Sequence, residues 1–143
     1  RGNRSVQLQV LDLRLAPSRA QLERSLYEKF RRGEALTAPE AQSLLPNRGD
    51  FVDLWRWLER QSISGTVVED TPLRIARAVS RSSHQREAPA RTMLCLEVME
   101  ERGLIDLNRR TDRIQITLRR VEHKVDLEAS SILKKLRDAI REN

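Results

Sequence analysis

The sequence is poor in most of the features that staple, anchor or arm a chain. One cysteine, Cys95, among 143 residues excludes an intrachain disulfide framework and suits a reducing, cytoplasmic setting. The other soft ligands are His84 and His123, and no C-x2-C or H-E-x-x-H spacing joins them, so no metal site is implied. There is no GxxxxGKS/T loop and no GxGxxG, which leaves nucleotide binding without support. Nothing in the spacing of serine, histidine and aspartate favours a nucleophilic triad, so no catalytic residue and no cofactor site is assigned to the chain itself. Apolar runs are only a few residues long, which excludes a membrane-spanning helix, and no signal-peptide core precedes them. Internal repeats and low-complexity tracts are absent too. Aromatics amount to 3% of the residues, so few rings could stack on bases.

What is abundant is charge. Lys+Arg is 27 against 21 for Asp+Glu, a net +6, and 23 of the 27 cations are arginine. Arginine meets phosphate with a planar, bidentate fork and keeps its charge everywhere, so a basic, arginine-dominated chain is a nucleic-acid candidate. Many of these arginines are interleaved with Asp and Glu along helices, where weak surface pairs are the plainer reading. A GC-rich coding bias gives the same excess. At 16.6 kDa the chain is one domain, or a small domain with an appendage. It opens on Arg1 rather than Met and reads as a piece of a longer protein.

Residues 4–15 alternate as a strand: Val6, Leu8 and Val10 lie on one face, and the phase slips at Leu11. Ser18 with Gln21 is a capping box opening a helix that carries Leu22, Leu26, Tyr27 and Phe30, ended by Gly33. Thr37 with Glu40 is a second box, and Pro46 stops that short helix. Asn47-Arg-Gly49 is expected as a turn, with Asp50 capping a helix of Phe51, Leu54, Trp55 and Leu58. Val67 and Val68 form a short strand, and Thr71-Pro72 opens a helix with Leu73, Ala76 and Val79 inward. Residues 80–87 are expected as a polar loop. Pro89 starts a long helix with Met93 and Leu96 inward, closed by Gly103. Ile105 and Leu107 lead into the basic turn around Arg109, and Ile114, Ile116 and Leu118 alternate as a return strand. Asp126 is expected to cap a last helix with a stripe of Ala129, Ile132, Leu133, Leu136 and Ile140.

The order over residues 50–120 is helix, strand, helix, helix, strand, basic turn, strand, which is that of a winged helix. The expected fold is therefore mainly α with a small β hairpin. A winged-helix-like core over about residues 50–120 follows a strand and a helix pair and precedes a C-terminal helix. Its core is expected from Leu54, Trp55, Leu58, Leu73, Ala76, Met93 and Leu96. The third helix of that core, 89–102, would show Arg91, Glu97, Glu100, Glu101 and Arg102 outward, and three carboxylates there oppose entry into a DNA groove. The hairpin differs: Arg109, Arg110, Arg113, Arg119 and Arg120 fall within twelve residues, against one aspartate, and could contact phosphates without reading bases. These five are the candidate nucleic-acid-binding residues. A solvated basic hairpin is the alternative. Phe51 and Trp55, at i and i+4, are expected in the core; Trp57 is the best candidate for an exposed ring, with packing under the first helix pair the favoured role.

Two stretches carry a family resemblance. Arg4-Ser-Val-Gln-Leu-Gln-Val-Leu-Asp-Leu-Arg14 resembles the closing strand of the OB-like domain of RecJ-type single-stranded-DNA-specific exonucleases, with its Q-L-x-V-x-D-(I/L/V)-R pattern. Glu101-Arg-Gly103-Leu104-Ile105, then a hairpin, then Asp126-Leu127-Glu128-Ala129-Ser130-Ser131, is similar to the C-terminal region of the same family. The resemblance implies that 1–16 is the trailing strand of an upstream domain and 17–143 a non-catalytic accessory domain. The implied parent enzyme is a hydrolase of DNA repair and recombination that degrades single-stranded DNA from the 5′ end with divalent metal ions. Its D-H-H motif occurs nowhere here, so no catalytic residue carries over. Implied partners are single-stranded DNA, held weakly and without sequence preference, and a repair factor such as single-strand-binding protein. The other expectation is a dimeric winged-helix transcriptional regulator whose last amphipathic helix forms the dimer contact.

Overall fold

The computed structural model describes residues 18–64, 67–83 and 86–141. The strand expected over 4–15, and with it the trailing segment 1–16 and the first of the two resembling stretches, lies outside the described residues, as does His84. Among the described residues six α-helices and three strands follow in order: α1 (Arg19–Arg31), α2 (Ala38–Leu44), α3 (Arg48–Ser64), β1 (Val67–Asp70), α4 (Pro72–Ser83), α5 (Pro89–Glu101), β2 (Ile105–Arg109), β3 (Ile114–Leu118) and α6 (Ser131–Arg141), with a short 3₁₀ turn at Leu127–Ala129 before α6. The fold is mainly helical with a small three-stranded antiparallel sheet.

The helix starts follow local chemistry. Both expected capping boxes form, at Ser18–Gln21 and Thr37–Glu40. A third was missed: the Asn47 and Asp50 side chains accept from each other's backbone N–H at 2.9 and 2.8 Å, so α3 begins at Arg48 and the expected turn is its first residues. Each such cap is worth about 1 kcal/mol. Gly33 and Gly103 sit at φ 77° and 82°, the left-handed turn that ends α1 and α5 at no steric cost.

Sheet order is β1-β3-β2, with Val68 and Leu107 both opposite Ile116. Period two puts Ile114 and Ile116 into the core. The opposite face carries a polar ladder in which Gln115 donates to Glu69 at 3.2 Å and accepts from Asn108 at 3.3 Å.

Helix α5 is the axis of the molecule. Ala90 and the whole run Met93–Met99 are buried. One set of its residues, including Met93, Leu96 and Met99, packs with Phe51, Leu54 and Leu58 of α3, Ile75 of α4 and the sheet isoleucines. Another set, Ala90 and Leu94, packs with Leu36, Ala41, Leu44 and Leu136. A helix that is apolar on nearly every side must be covered on every side.

Several expectations are corrected by this packing. Ala76 and Val79 face inward as expected, but Leu73 is exposed and Ile75 is buried in its stead, since Ile75, Ala76 and Val79 at i, i+1 and i+4 share one helix face that Leu73 does not. Trp55 and Trp57 are both half-buried against the core, so Trp57 takes the packing role and not that of an exposed ring. The polar loop shrinks, since α4 continues to Ser83. Asp126 caps the 3₁₀ turn; α6 starts at Ser131, where the buried Ser130 hydroxyl accepts from the N–H groups of Ile132 and Leu133 at 3.2 and 3.3 Å. The α6 stripe of Leu133 and Leu136 is covered within the chain, while Ala129 is exposed.

Candidate nucleic-acid interface

The β2–β3 hairpin is closed by the Arg110 N–H, which donates to the Arg113 carbonyl at 2.8 Å. All five candidate arginines are exposed, but the structure does not treat them alike. Arg109, last in β2, turns back onto α5, with its guanidinium 3.6 Å from Glu97 and 3.9 Å from Glu100. Arg119 lies 3.9 Å from Asp106 across the β2–β3 ladder, an exposed pair of little strength in water. Arg110 donates to the neutral amide oxygen of Gln115 at 3.4 Å. Arg113 and Arg120 form no ion pair among the described residues. The cationic tip is therefore Arg110 and Arg113, with Arg109 withdrawn from it; Arg119 and Arg120 follow the other end of β3, where the Arg119 N–H donates to the Leu104 carbonyl at 2.9 Å.

What withdraws Arg109 is Glu97. It was expected on the outer face of α5 and is buried, 5% exposed. Tyr27 donates its hydroxyl to Glu97 Oε1, and Arg31 donates to Oε2 at 2.9 Å. A carboxylate taken out of water must be paired, and this one ties α1, α5 and the end of β2 together. Burial, then the hydrogen bond to Glu97, pushes the Tyr27 phenol far above its ordinary value. The neighbouring carboxylate likewise raises Arg31. The sequence sign for Glu97 is weak: Met93–Met99 is otherwise apolar, but Glu100 and Glu101 stand three and four positions on, on the same helix face.

The remaining outward expectations on α5 divide. Arg91 is largely covered and lies 4.0 Å from Asp50. Arg102 donates to the Asp126 carbonyl at 3.1 Å. Glu101 accepts the Ser131 N–H at 3.0 Å and the Ser131 hydroxyl, capping α6 from another helix. Burial acts to raise the Glu101 carboxyl, but donors from Ser130, Ser131 and Ile132 outweigh it and hold it below its ordinary value. Cys95 is buried, and burial raises its thiol well above the usual range, which makes it an inert packing group.

Among the described residues no three His, Cys, Asp or Glu side chains converge as a metal ion requires. No helix among the described residues is long and apolar enough to cross a membrane. Scans against protein-family models, curated proteins and solved structures returned no match for the chain.

Proposed function

We propose that the chain is a non-catalytic accessory domain of winged-helix type from a RecJ-like single-stranded-DNA exonuclease, and that it holds single-stranded DNA through the backbone phosphates without reading sequence. The observation that carries this reading is the set of arginines at the two ends of β3. Arg110, Arg113 and Arg120 are exposed and form no ion pair among the described residues, and Arg119 has only a long, exposed one. Exposed guanidinium groups with no carboxylate to displace are what a phosphate backbone requires.

Two features support the rest of the reading. The element order from α3 to β3, with sheet order β1-β3-β2, suits a winged helix whose wing is this hairpin. Glu101, from the first part of the C-terminal resembling stretch, caps the helix that begins at Ser131, from its last part, so a physical contact joins those two sequence patterns. The burial of α5 on nearly every side speaks against a reader that inserts this helix into the major groove. The α6 stripe, covered within the chain, speaks against the dimeric regulator.

The test is fluorescence anisotropy of the whole chain with labelled oligothymidylate across a salt series. Four phosphate contacts predict a slope of log K on log salt of about −3, from roughly 0.7 per contact on single strands. Binding that ignores salt, or that survives charge reversal at Arg110 and Arg113 unchanged, overturns the proposal.

A further inference from the structure

Helix α4 stands apart from the other described helices in charge. Helices α1, α2, α3, α5 and α6 each carry at least one Asp or Glu. Helix α4 carries Arg74, Arg77 and Arg81 and no acidic residue, and none occurs anywhere from Thr71 to Arg86. At i, i+3 and i+7 the three arginines share one helix face, and all are exposed. Ile75, Ala76 and Val79 turn the opposite face into the core.

Among the described residues, carboxylates meet this row only from beyond the ends of the helix. Asp70 lies 3.9 Å from Arg74 and Glu87 lies 3.5 Å from Arg77, and exposed pairs of this kind hold weakly in water. Arg81 forms no ion pair among the described residues; its Nε donates to the Arg77 carbonyl at 3.4 Å. The sheet sets the row beside the hairpin turn. Asp70, last in β1, stands opposite Ile114, first in β3, and Arg113 directly precedes Ile114. Helix α4 begins two residues after Asp70, at Pro72, so its first turn and the hairpin turn lie at one end of the sheet. From there the row runs about 10 Å along the helix, at roughly 1.5 Å per residue.

We propose that the outer face of α4 is a second phosphate-binding row, which takes a single DNA strand onward from the hairpin turn. The inference rests on the hairpin being a single-strand site and adds to it a second element, with Arg77 and Arg81 as the chief contacts and Arg74 shared with Asp70. Guanidinium forks suit phosphate oxygens, and a row without carboxylates of its own meets a polyanion without repulsion. Ala78 and Ser82, beside the row, are too short to obstruct a polymer lying along it. A single strand can bend from the turn onto the helix, whereas a duplex is stiff over about 150 base pairs.

The experiment is fluorescence anisotropy of the whole chain with two labelled oligothymidylates, of about five and about twenty nucleotides, across a salt series. The short strand fills the hairpin site and gives a slope of log K on log salt of about −3. The long strand also reaches α4 and gives about −5, from roughly 0.7 per contact. Arg77→Gln with Arg81→Gln, on exposed residues and with helix propensity kept, flattens the long-strand slope by about 1.4 and leaves the short-strand slope unchanged. Arg24→Gln with Arg32→Gln removes the same two charges where Glu28 and Glu34 already pair with them, and leaves both slopes unchanged. Equal slopes for the two strands, or equal losses from the two double variants, overturn the proposal. So does labelled oligoglutamate that binds as tightly as the long strand and is lost with Arg77 and Arg81, which would assign the row to an acidic protein partner. A short strand that ignores salt, while Arg77 and Arg81 still set the long-strand slope, overturns the hairpin site and keeps the α4 row, so the two fail separately.

Discussion

Arg109 and Arg113 lie at the two ends of one turn, and their surroundings differ throughout. Arg109 reaches back to Glu97 and Glu100, where a buried carboxylate already holds Arg31 and Tyr27. Arg113 meets solvent and forms no ion pair among the described residues. The difference teaches that an arginine's availability is set by whether a buried carboxylate can reach it, not by its neighbours in sequence. Within reach, the guanidinium satisfies an ion that cannot otherwise leave water. Beyond it, the charge is free for a ligand.

The sharpest way to break the comparison is to delete the carboxylate. Glu97→Ala should lower unfolding free energy by about 2 kcal/mol in urea denaturation; the figure sits below the 3–5 typical of a fully buried pair because Arg31 and Arg109 are half-exposed and regain water. Truncating the two arginines should then separate them: Arg109→Ala costs about 1 kcal/mol, whereas Arg113→Ala stays within about 0.5 kcal/mol of wild type. Equal losses from both would dissolve the distinction.

The pH dependence sharpens the interior side. The folded-state value of Tyr27 is raised, so its contribution is complete below the ordinary 10.0 and is lost as pH rises through the folded value. Tyr27→Phe should flatten the alkaline decline in melting temperature. Glu101 has the opposite sign: its folded value is lowered, so its contribution is present above the ordinary 4.5 and is lost as pH falls through the folded value. Glu101→Gln should cost only about 0.5 kcal/mol at neutral pH and reduce the acid sensitivity, read as melting temperature between mildly acidic and neutral buffers.

Much of the fold was legible where the determining chemistry is local. The boxes at Ser18–Gln21 and Thr37–Glu40 and the alternation of Ile114 and Ile116 need only their neighbours, and each stands as expected. The site was less legible because its determinants are distant. Glu97 looked like an outer residue of one helix until Tyr27 and Arg31, seventy and sixty-six positions away, were brought to it. Glu23 turns inward because Arg86, sixty-three positions on, meets it there. Arg109 belongs to a basic hairpin by spacing, and its pairing with Glu97 and Glu100 comes only from α5, distant in sequence.

The most direct measurement is a salt series of single-stranded-DNA binding run side by side on wild type, Arg109→Ala and Arg113→Ala. Arg113→Ala should reduce the slope of log K on log salt by about 0.7 with stability unchanged, and Arg109→Ala should lower stability with the slope unchanged. Equal changes of slope in the two variants, or none in either, would contradict the division of the arginines on which the DNA reading depends.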